Sequence, residues 1–511
     1  MSRKNKSIKH RASRRPPASG RKPSGRISAR EVTMSAEELQ IFHQQFQGLF
    51  QRREQREASW LYRCGQWSDL ERKTVEPMVL KLIGPDLNAI RRLQQFIGPG
   101  EWDAGPLISH AQSLVGAWLG EDDGVVIVEG SGFPKEGRHS VGVAHQYGGH
   151  LGKIANCQEG VFLAYASRGG YAFLDERLYV PDEWFAEASR KRWKACRLPA
   201  TLAFHTEPEL GLEMLGALRQ RGVVPFGWVT CDESYGKIPV FLDEIAAWGK
   251  GYLAEVPADT RVWLRTPPVE PPGPGPSGRP RIYPRVKLTA PRPLEMRVWV
   301  AQLDRAAWHR RKIKEGSKGP ILVELAFVRV TPVRDQLPGP RGWAIFRRTL
   351  GSPPETKFYL SNAPQECPTQ ELTRLTGMRW PVETALEEGK GEVGLDHFET
   401  RTWPGWHHPP CGDHHMLQSF LAHLFLVRLR LLYQKKVLPS PRPKPINWQR
   451  RSLKTNSNIR LTFPPSSDII SIGIMPLTVR TSNAPALGWT NLAQSLAKAK
   501  SRCNNRNLVV I

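Results

Sequence analysis

The sequence predicts an α/β fold: a mixed sheet with helices packed on it, a helical region before it and basic tails at both ends. Three observations predict it. Val125-Val126-Ile127-Val128 is a short continuous apolar run, the mark of a strand buried on both faces. Strand-like and helix-like segments then alternate as far as residue 256, the pattern of a sheet with helices against it. Upstream of that run, apolar residues recur at helical spacing, as at Leu39, Phe42, Phe46 and Leu49.

In chain order, residues 1–33 are rich in Arg, Lys, Ser and Pro and read as a disordered basic tail. Met34 is a second candidate start, because Ser35-Ala36-Glu37-Glu38 after it reads as an N-cap with acids in the first turn. Residues 34–120 read as a helical region, with helices over 35–58, 75–96 and 106–118. By position it is a candidate for binding DNA ends. Residues 121–260 hold the first part of the core. Strands are expected at 125–128, 138–148, 160–166, 171–180, 223–229 and 251–256, with helices over 207–220 and 237–249. Residues 261–350 comprise a Pro/Gly-rich linker, 264–293, and a β-rich insertion with strands over 296–300, 321–331 and 342–347. Residues 351–432 hold the second part of the core, with helices over 368–391 and 413–432. Residues 433–511 lose apolar periodicity and read as a second disordered basic tail. A shifted or degenerate reading frame is a candidate origin for it, and for residues 1–33.

Composition narrows the class. The 511 residues carry a net charge of +25, which points to a polyanionic partner. The charge sits in the tails. Residues 1–30 hold eleven Lys/Arg and no acid, and residues 433–511 hold thirteen against Asp468, so the middle is close to neutral. Basic tails bind DNA by counterion release, and they also occur as solvated disorder. No stretch reads as a membrane span or a secretory signal. Seven scattered cysteines without a CxxC pair argue for reduced thiols. The expected location is the cytoplasm, in association with the nucleoid.

Three acids stand where a two-metal phosphoryl-transfer site wants them: Glu129 at the end of the first buried strand, Asp232 after the strand at 223–229, and Glu383 on a helix. Carboxylates are the hard oxygen ligands that Mg²⁺ prefers. Each acid also has a plain structural reading: a strand-end acid, a helix N-cap, and a helix-surface ion-pair partner. Four residues before Glu383 comes Arg379, and seven after it Lys390, so all three share a helix face.

The words around these acids carry a resemblance. Arg379, Glu383 and Lys390 resemble the Y-R-E-K signature of one large group of DDE transposases of bacterial insertion sequences. The segments Arg379–Trp406, Gly130–Trp184 and Cys231-Asp-Glu-Ser-Tyr-Gly236 also resemble that family, over roughly residues 35–432. The resemblance implies an RNase H-like core with the β-rich insertion between the second and third acids. It implies cleavage of double-stranded DNA at transposon ends and strand transfer to a target, with two Mg²⁺ ions for which Mn²⁺ substitutes. It implies a homodimer on DNA. Glu129, Asp232 and Glu383 would be the catalytic metal ligands, and Arg379 and Lys390 the phosphate-binding cations. Lys135, Arg138 and Lys153, in Gly-punctuated loops, are further candidates for the DNA backbone.

Two departures stand out. The family's first acid is aspartate, whereas this chain has Glu129; the extra methylene moves the carboxylate by about 1.5 Å. The signature tyrosine falls on Thr376. These departures keep a second reading open, that of a DNA-binding relic without catalysis; a stand-alone nuclease is a third, which the insertion argues against. Trp263 and Trp299, bordering the insertion, read first as core and second as stacking platforms for a flipped base. His407, His408, Cys411, His414 and His415 are dense enough to raise zinc, but their spacing fits no standard finger.

Overall fold

The computed structural model describes residues 39–148, 152–273, 281–316 and 319–408. Six strands carry the first part of the fold: β1 (Val125–Pro134), β2 (Ala144–Gly148), β3 (Lys153–Ser167), β4 (Gly170–Tyr179), β5 (Trp228–Cys231) and β6 (Gly251–Val256). The apolar run opens β1, and its four residues are fully buried, each worth about 1.5–3 kcal/mol. β1 runs parallel to β5, and β5 parallel to β6. On its other side β1 pairs antiparallel with β3, and β3 with β2 and β4. The order through the centre is therefore β4, β3, β1, β5, β6.

All but two of the later strands join the same sheet. The later strands are β7 (Arg261–Trp263), β8 (Val269–Glu270), β9 (Arg285–Val286), β10 (Leu294–Glu295), β11 (His309–Gly316), β12 (Gly319–Arg334), β13 (Leu337–Pro338), β14 (Gly342–Thr349) and β15 (Thr356–Ser361). β15 pairs antiparallel with β6, and β14, β12, β7 and β10 follow in turn. β11 and β13 pair with β12, while β8 and β9 form a separate two-stranded sheet. Among the described residues the main sheet thus has 13 strands.

Helices cover both faces. Thr206 and Glu209 form a capping box that starts the helix Glu207–Arg221, and Gly222, at φ 64°, ends it. Its Leu210, Met214, Leu215 and Leu218 pack with Phe241, Leu242 and Ile245 of Pro239–Ala247 against Val126, Val128, Val161 and Leu163. On the opposite face, Val382, Ala385 and Leu386 of the helix Trp380–Val393 pack against Val125, Ile127, Phe162 and Ala164. The N-terminal helices build a further cluster from Phe42, Phe46, Phe50, Met78, Leu93, Phe96 and Leu107. Among the described residues no helix is long and apolar enough to cross a membrane, and the described cysteines are free.

Several expected elements break where the sequence carries a stop. The helix expected over 35–58 is two: residues 39–47, and Arg53–Gln66. The one over 75–96 splits into Val75–Leu82 and Leu87–Ile97 around Gly84, at φ 107°, and Asp86, whose carboxylate caps the second helix. The helix over 237–249 starts later, at Pro239, after a short turn of helix at Glu233–Gly236. The helix over 368–391 divides into Thr369–Leu375 and Trp380–Val393. The strand over 223–229 begins only at Trp228, since Pro225 has no N–H to donate to a ladder. The strand over 138–148 is confined to β2. Met296–Val300, expected as a strand, is helical: Met296–Ala301 turns so that Met296 is fully buried in the core. Trp263 is buried, and its indole donates to Pro291 O at 2.8 Å, which is the core role. The two basic tails, the helix over 413–432, and Cys411, His414 and His415 lie outside the described residues. His408 stacks on Trp102, ring centroids 4.0 Å apart.

Candidate active site

Alternation along β1 sends Val126, Val128 and Gly130 to the face covered by Glu207–Arg221, and Val125, Ile127 and Glu129 to the face covered by Trp380–Val393. Glu129 therefore points at the helix that carries Glu383. In the β1–β5 register Val128 lies opposite Cys231, so Asp232 follows the end of β5 beside Glu129; Glu129, expected at a strand end, instead lies midway along β1, which runs on to Pro134 in pairing with β3. Asp232 is the N-cap of Glu233–Gly236: its Oδ1 accepts from the Ser234 N–H at 2.9 Å.

Between the acids stands Arg379, at the start of the Trp380–Val393 helix. Its Nη1 donates to Glu129 Oε2 at 2.7 Å and Oε1 at 3.0 Å. Its Nη2 reaches Glu383 Oε1 at 2.7 Å, and its Nε lies 3.7 Å from Glu255 Oε2. One guanidinium thus ties Glu129 and Glu383, and Asp232 lies near enough for its charge to act on Glu129. Glu255, on β6, was not predicted; nothing in the spacing says that β6 lies beside β5.

The electrostatics follow from the crowding. Burial pushes Glu129 up to about 7; Arg379 pulls it back, and Asp232 and Glu383 add to the rise. Burial also raises Asp232, against the pull of Arg379. Burial works against a charged Arg379, but Glu129, Glu383 and Glu255 outweigh it and hold the guanidinium above its ordinary value. A cluster of acids that repel one another and share one cation is a place where added positive charge is stabilised. Their oxygens are the hard donors a divalent ion takes, so the donor set fits a metal. As they stand, no three ligand-type side chains among the described residues converge closely enough to hold one; Arg379 is the cation between them.

The expected DNA-contacting cations divide. Lys390 is turned inward: its Nζ donates to Ser131 Oγ at 2.9 Å and Gly132 O at 3.0 Å, and burial lowers its pKa. Lys135 lies over the Phe398 ring and donates to Phe398 O at 3.0 Å; burial brings it down to about 8. Arg138 and Lys153 are exposed. Thr376, where the signature has tyrosine, is buried; its hydroxyl donates to Thr373 O at 2.7 Å and its carbonyl accepts from Arg347. Asp123, which precedes β1, is engaged with Arg168 and Arg374. Glu388, on the same helix as Glu383, accepts from the Tyr171 hydroxyl at 3.0 Å.

The family described as "DDE superfamily endonuclease" matches residues 42–320. A relative named "Probable transposase for insertion sequence element IS701", from Microchaete diplosiphon, is 24% identical over 350 residues, covering 68% of this chain and 78% of its own length.

Proposed function

This chain belongs to the DDE superfamily endonucleases, and on that premise we propose that it is an insertion-sequence transposase that cuts double-stranded DNA at the element's ends and joins the 3′ ends to a target. The observation that carries this reading is the pairing of Glu129 and Glu383 with the one guanidinium of Arg379, beside Asp232 at the end of the adjacent parallel strand β5. The strand order β4-β3-β1-β5-β6, with β3 antiparallel and β5 and β6 parallel to β1, supports an RNase H-like core. We read residues 34–120 as the end-binding region, the Pro-rich linker and β-rich segment of 261–350 as an insertion within the core, and the acting species as a homodimer on paired ends in the nucleoid.

In this reading Glu129, Asp232 and Glu383 hold Mg²⁺, with Mn²⁺ able to replace it. The bound ions supply activation of a water or a 3′-hydroxyl and stabilisation of the leaving oxygen. The chain's own groups do the rest. Asp232 is oriented by the Ser234 N–H, so its carboxylate is fixed before DNA arrives. Arg379 neutralises Glu129 and Glu383 in the free protein; a DNA phosphate offers its planar guanidinium a bidentate alternative, and its transfer to the phosphate frees both acids. Exposed Arg138 and Lys153 contact the backbone and position the duplex. Lys390 holds the Ser131–Gly132 stretch of β1 in place beside Glu129.

The length of Glu129 favours a second reading, a copy that binds ends without cutting them. DNA carrying the element's own ends, incubated with Mg²⁺, tests both. Cleavage that disappears with Glu383→Gln supports the transposase. Binding without cleavage in either metal supports the relic.

A further inference from the structure

The face of β1 opposite Glu129 carries a second group of acids. Gly130 has no side chain, and a Cβ built there lies 3.2 Å from Glu159 Oε1, 3.4 Å from Glu207 Oε2 and 3.8 Å from the Tyr235 hydroxyl. Three oxygens from β3, from the first turn of Glu207–Arg221 and from Glu233–Gly236 therefore surround one point. Glu159 is 3% exposed and Tyr235 fully buried. Neither Glu159 Oε2 nor the Tyr235 hydroxyl has a hydrogen-bond partner. Buried polar groups are ordinarily satisfied, and an unsatisfied buried carboxylate is costly. Lys390 is the nearby cation, but its Nζ donates to Ser131 and Gly132.

We propose that Glu159 and Glu207, with the Tyr235 hydroxyl beside them, form a cation subsite at Gly130 that takes a partly hydrated divalent ion of the Mg²⁺ or Mn²⁺ class. Mg²⁺ keeps several of its waters and is commonly held by one or two carboxylates, which is what this pocket offers. The oxygens stand 3.2, 3.4 and 3.8 Å from the Gly130 point, further than the about 2.1 Å of a direct Mg²⁺–oxygen contact, so the carboxylates close in by about 1 Å on an ion held there and waters complete its coordination. Burial first, and then Glu207, pushes Glu159 up to about 8, with Lys390 offsetting part of the rise. Glu207 is raised by burial and by Asp232. Asp232, at the end of β5, thus feels both groups of acids. It stands between the Glu129–Arg379–Glu383 cluster on one face and the Glu159–Glu207 pocket on the other. The inference rests on the proposed function in so far as the ion serves that chemistry; the pocket itself does not depend on it.

The test is Mn²⁺ binding to the full chain, followed by loss of the free-ion electron paramagnetic resonance signal. Wild type is compared with Glu159→Gln/Glu207→Gln and with Glu129→Gln/Glu383→Gln. The expected result is that the first double variant loses one Mn²⁺ equivalent per chain, or binds it at least tenfold more weakly, while the second retains that equivalent. Equal stoichiometry and affinity in wild type and Glu159→Gln/Glu207→Gln overturn the subsite. If that equality is joined by loss of binding in Glu129→Gln/Glu383→Gln, the subsite fails and the proposed function stands. Two further measurements guard against misfolding. Gly130→Ala puts a methyl group into the pocket and is expected to remove the same equivalent; retention of it overturns the subsite. In chelator, Glu159→Gln is expected to raise the melting temperature, because it removes an unpartnered carboxylate; a fall shows that the carboxylate is purely structural and overturns the proposal.

Discussion

Replacing Arg379 by methionine removes the one cation shared by Glu129 and Glu383. The side chains of Arg379 and Glu129 are 21% and 13% exposed, and the Arg379 Nη1 donates to both carboxylate oxygens, at 2.7 and 3.0 Å. At an effective dielectric of about 20, one such pair attracts with about 6 kcal/mol, much of it offset by desolvation. Breaking a buried pair by removing one partner typically costs about 3–5 kcal/mol. The Glu383 contact adds little, since that carboxylate is 41% exposed. We therefore expect Arg379→Met to destabilise the metal-free protein by about 3–5 kcal/mol, and Arg379→Met/Glu129→Gln to recover most of it. The pH profile carries the sign. Glu129 is already raised from 4.5 to about 7 by burial, so the folded chain binds this proton more tightly than the unfolded chain. Its contribution is complete below about pH 4.5 and is lost as pH rises to about 7. Without the guanidinium the folded value lies higher, so the variant keeps losing stability above pH 7, by up to about 1.4 kcal/mol per pH unit. Urea denaturation in chelator from pH 5 to 9 measures this. A loss under about 1 kcal/mol that does not vary with pH refutes the claim that Arg379 is the counter-ion of Glu129.

Two further outcomes are expected. Glu129→Asp moves the first carboxylate by about 1.5 Å, and a misplacement of about 1 Å is worth on the order of 100-fold in rate. End cleavage with Mg²⁺ should then rise at least tenfold over wild type, and the gap should narrow in Mn²⁺; unchanged or lower Mg²⁺ activity shows that Glu129 is well placed as it is. His43 is buried among the N-terminal helices, and burial lowers it to about 2. The unfolded chain takes up this proton near pH 6.5 while the folded chain does not. Stability should therefore fall as pH drops below about 6.5, by up to about 1.4 kcal/mol per unit; His43→Phe should flatten that part of a urea-midpoint titration, and an unchanged slope assigns the acid sensitivity elsewhere.

The legible parts of the fold were those fixed by local pattern. The apolar run opened β1, and Gly251–Val256 is β6 with the expected ends. Thr206-Glu-Pro-Glu209 and Gly222 bounded a helix expected over 207–220 and found at Glu207–Arg221. The misreadings came from local signals outweighed by others. Met296–Val300 carries Val298, Trp299 and Val300, residue types that favour strands, yet burial of Met296 is better served by a helical turn. Gly84 and Pro85 carried a stop that the longer periodicity over 75–96 hid. At the site, the words around Glu383 pointed to a helix whose Arg379 pairs with both Glu383 and Glu129. What spacing did not carry was strand order, so Glu255, Glu159 and Glu207 went unmarked. Glu159 had one visible signal, an acid opening an otherwise apolar stretch to Ala166. Arg379 and Lys390 were read as facing DNA, whereas here they bind acids and β1 backbone, because a buried carboxylate recruits the nearest cation.

The central claim is that Glu129, Asp232 and Glu383 form one metal-holding site. Its most direct measurement is localised backbone cleavage of the full chain by Fe²⁺ with ascorbate and peroxide, in which Fe²⁺ occupies the divalent site and cuts the chain beside it. The account predicts cuts clustered near residues 129, 232 and 383, suppressed by excess Mg²⁺ and abolished by Asp232→Asn. Cuts that avoid all three positions, or that persist unchanged in Asp232→Asn, contradict it.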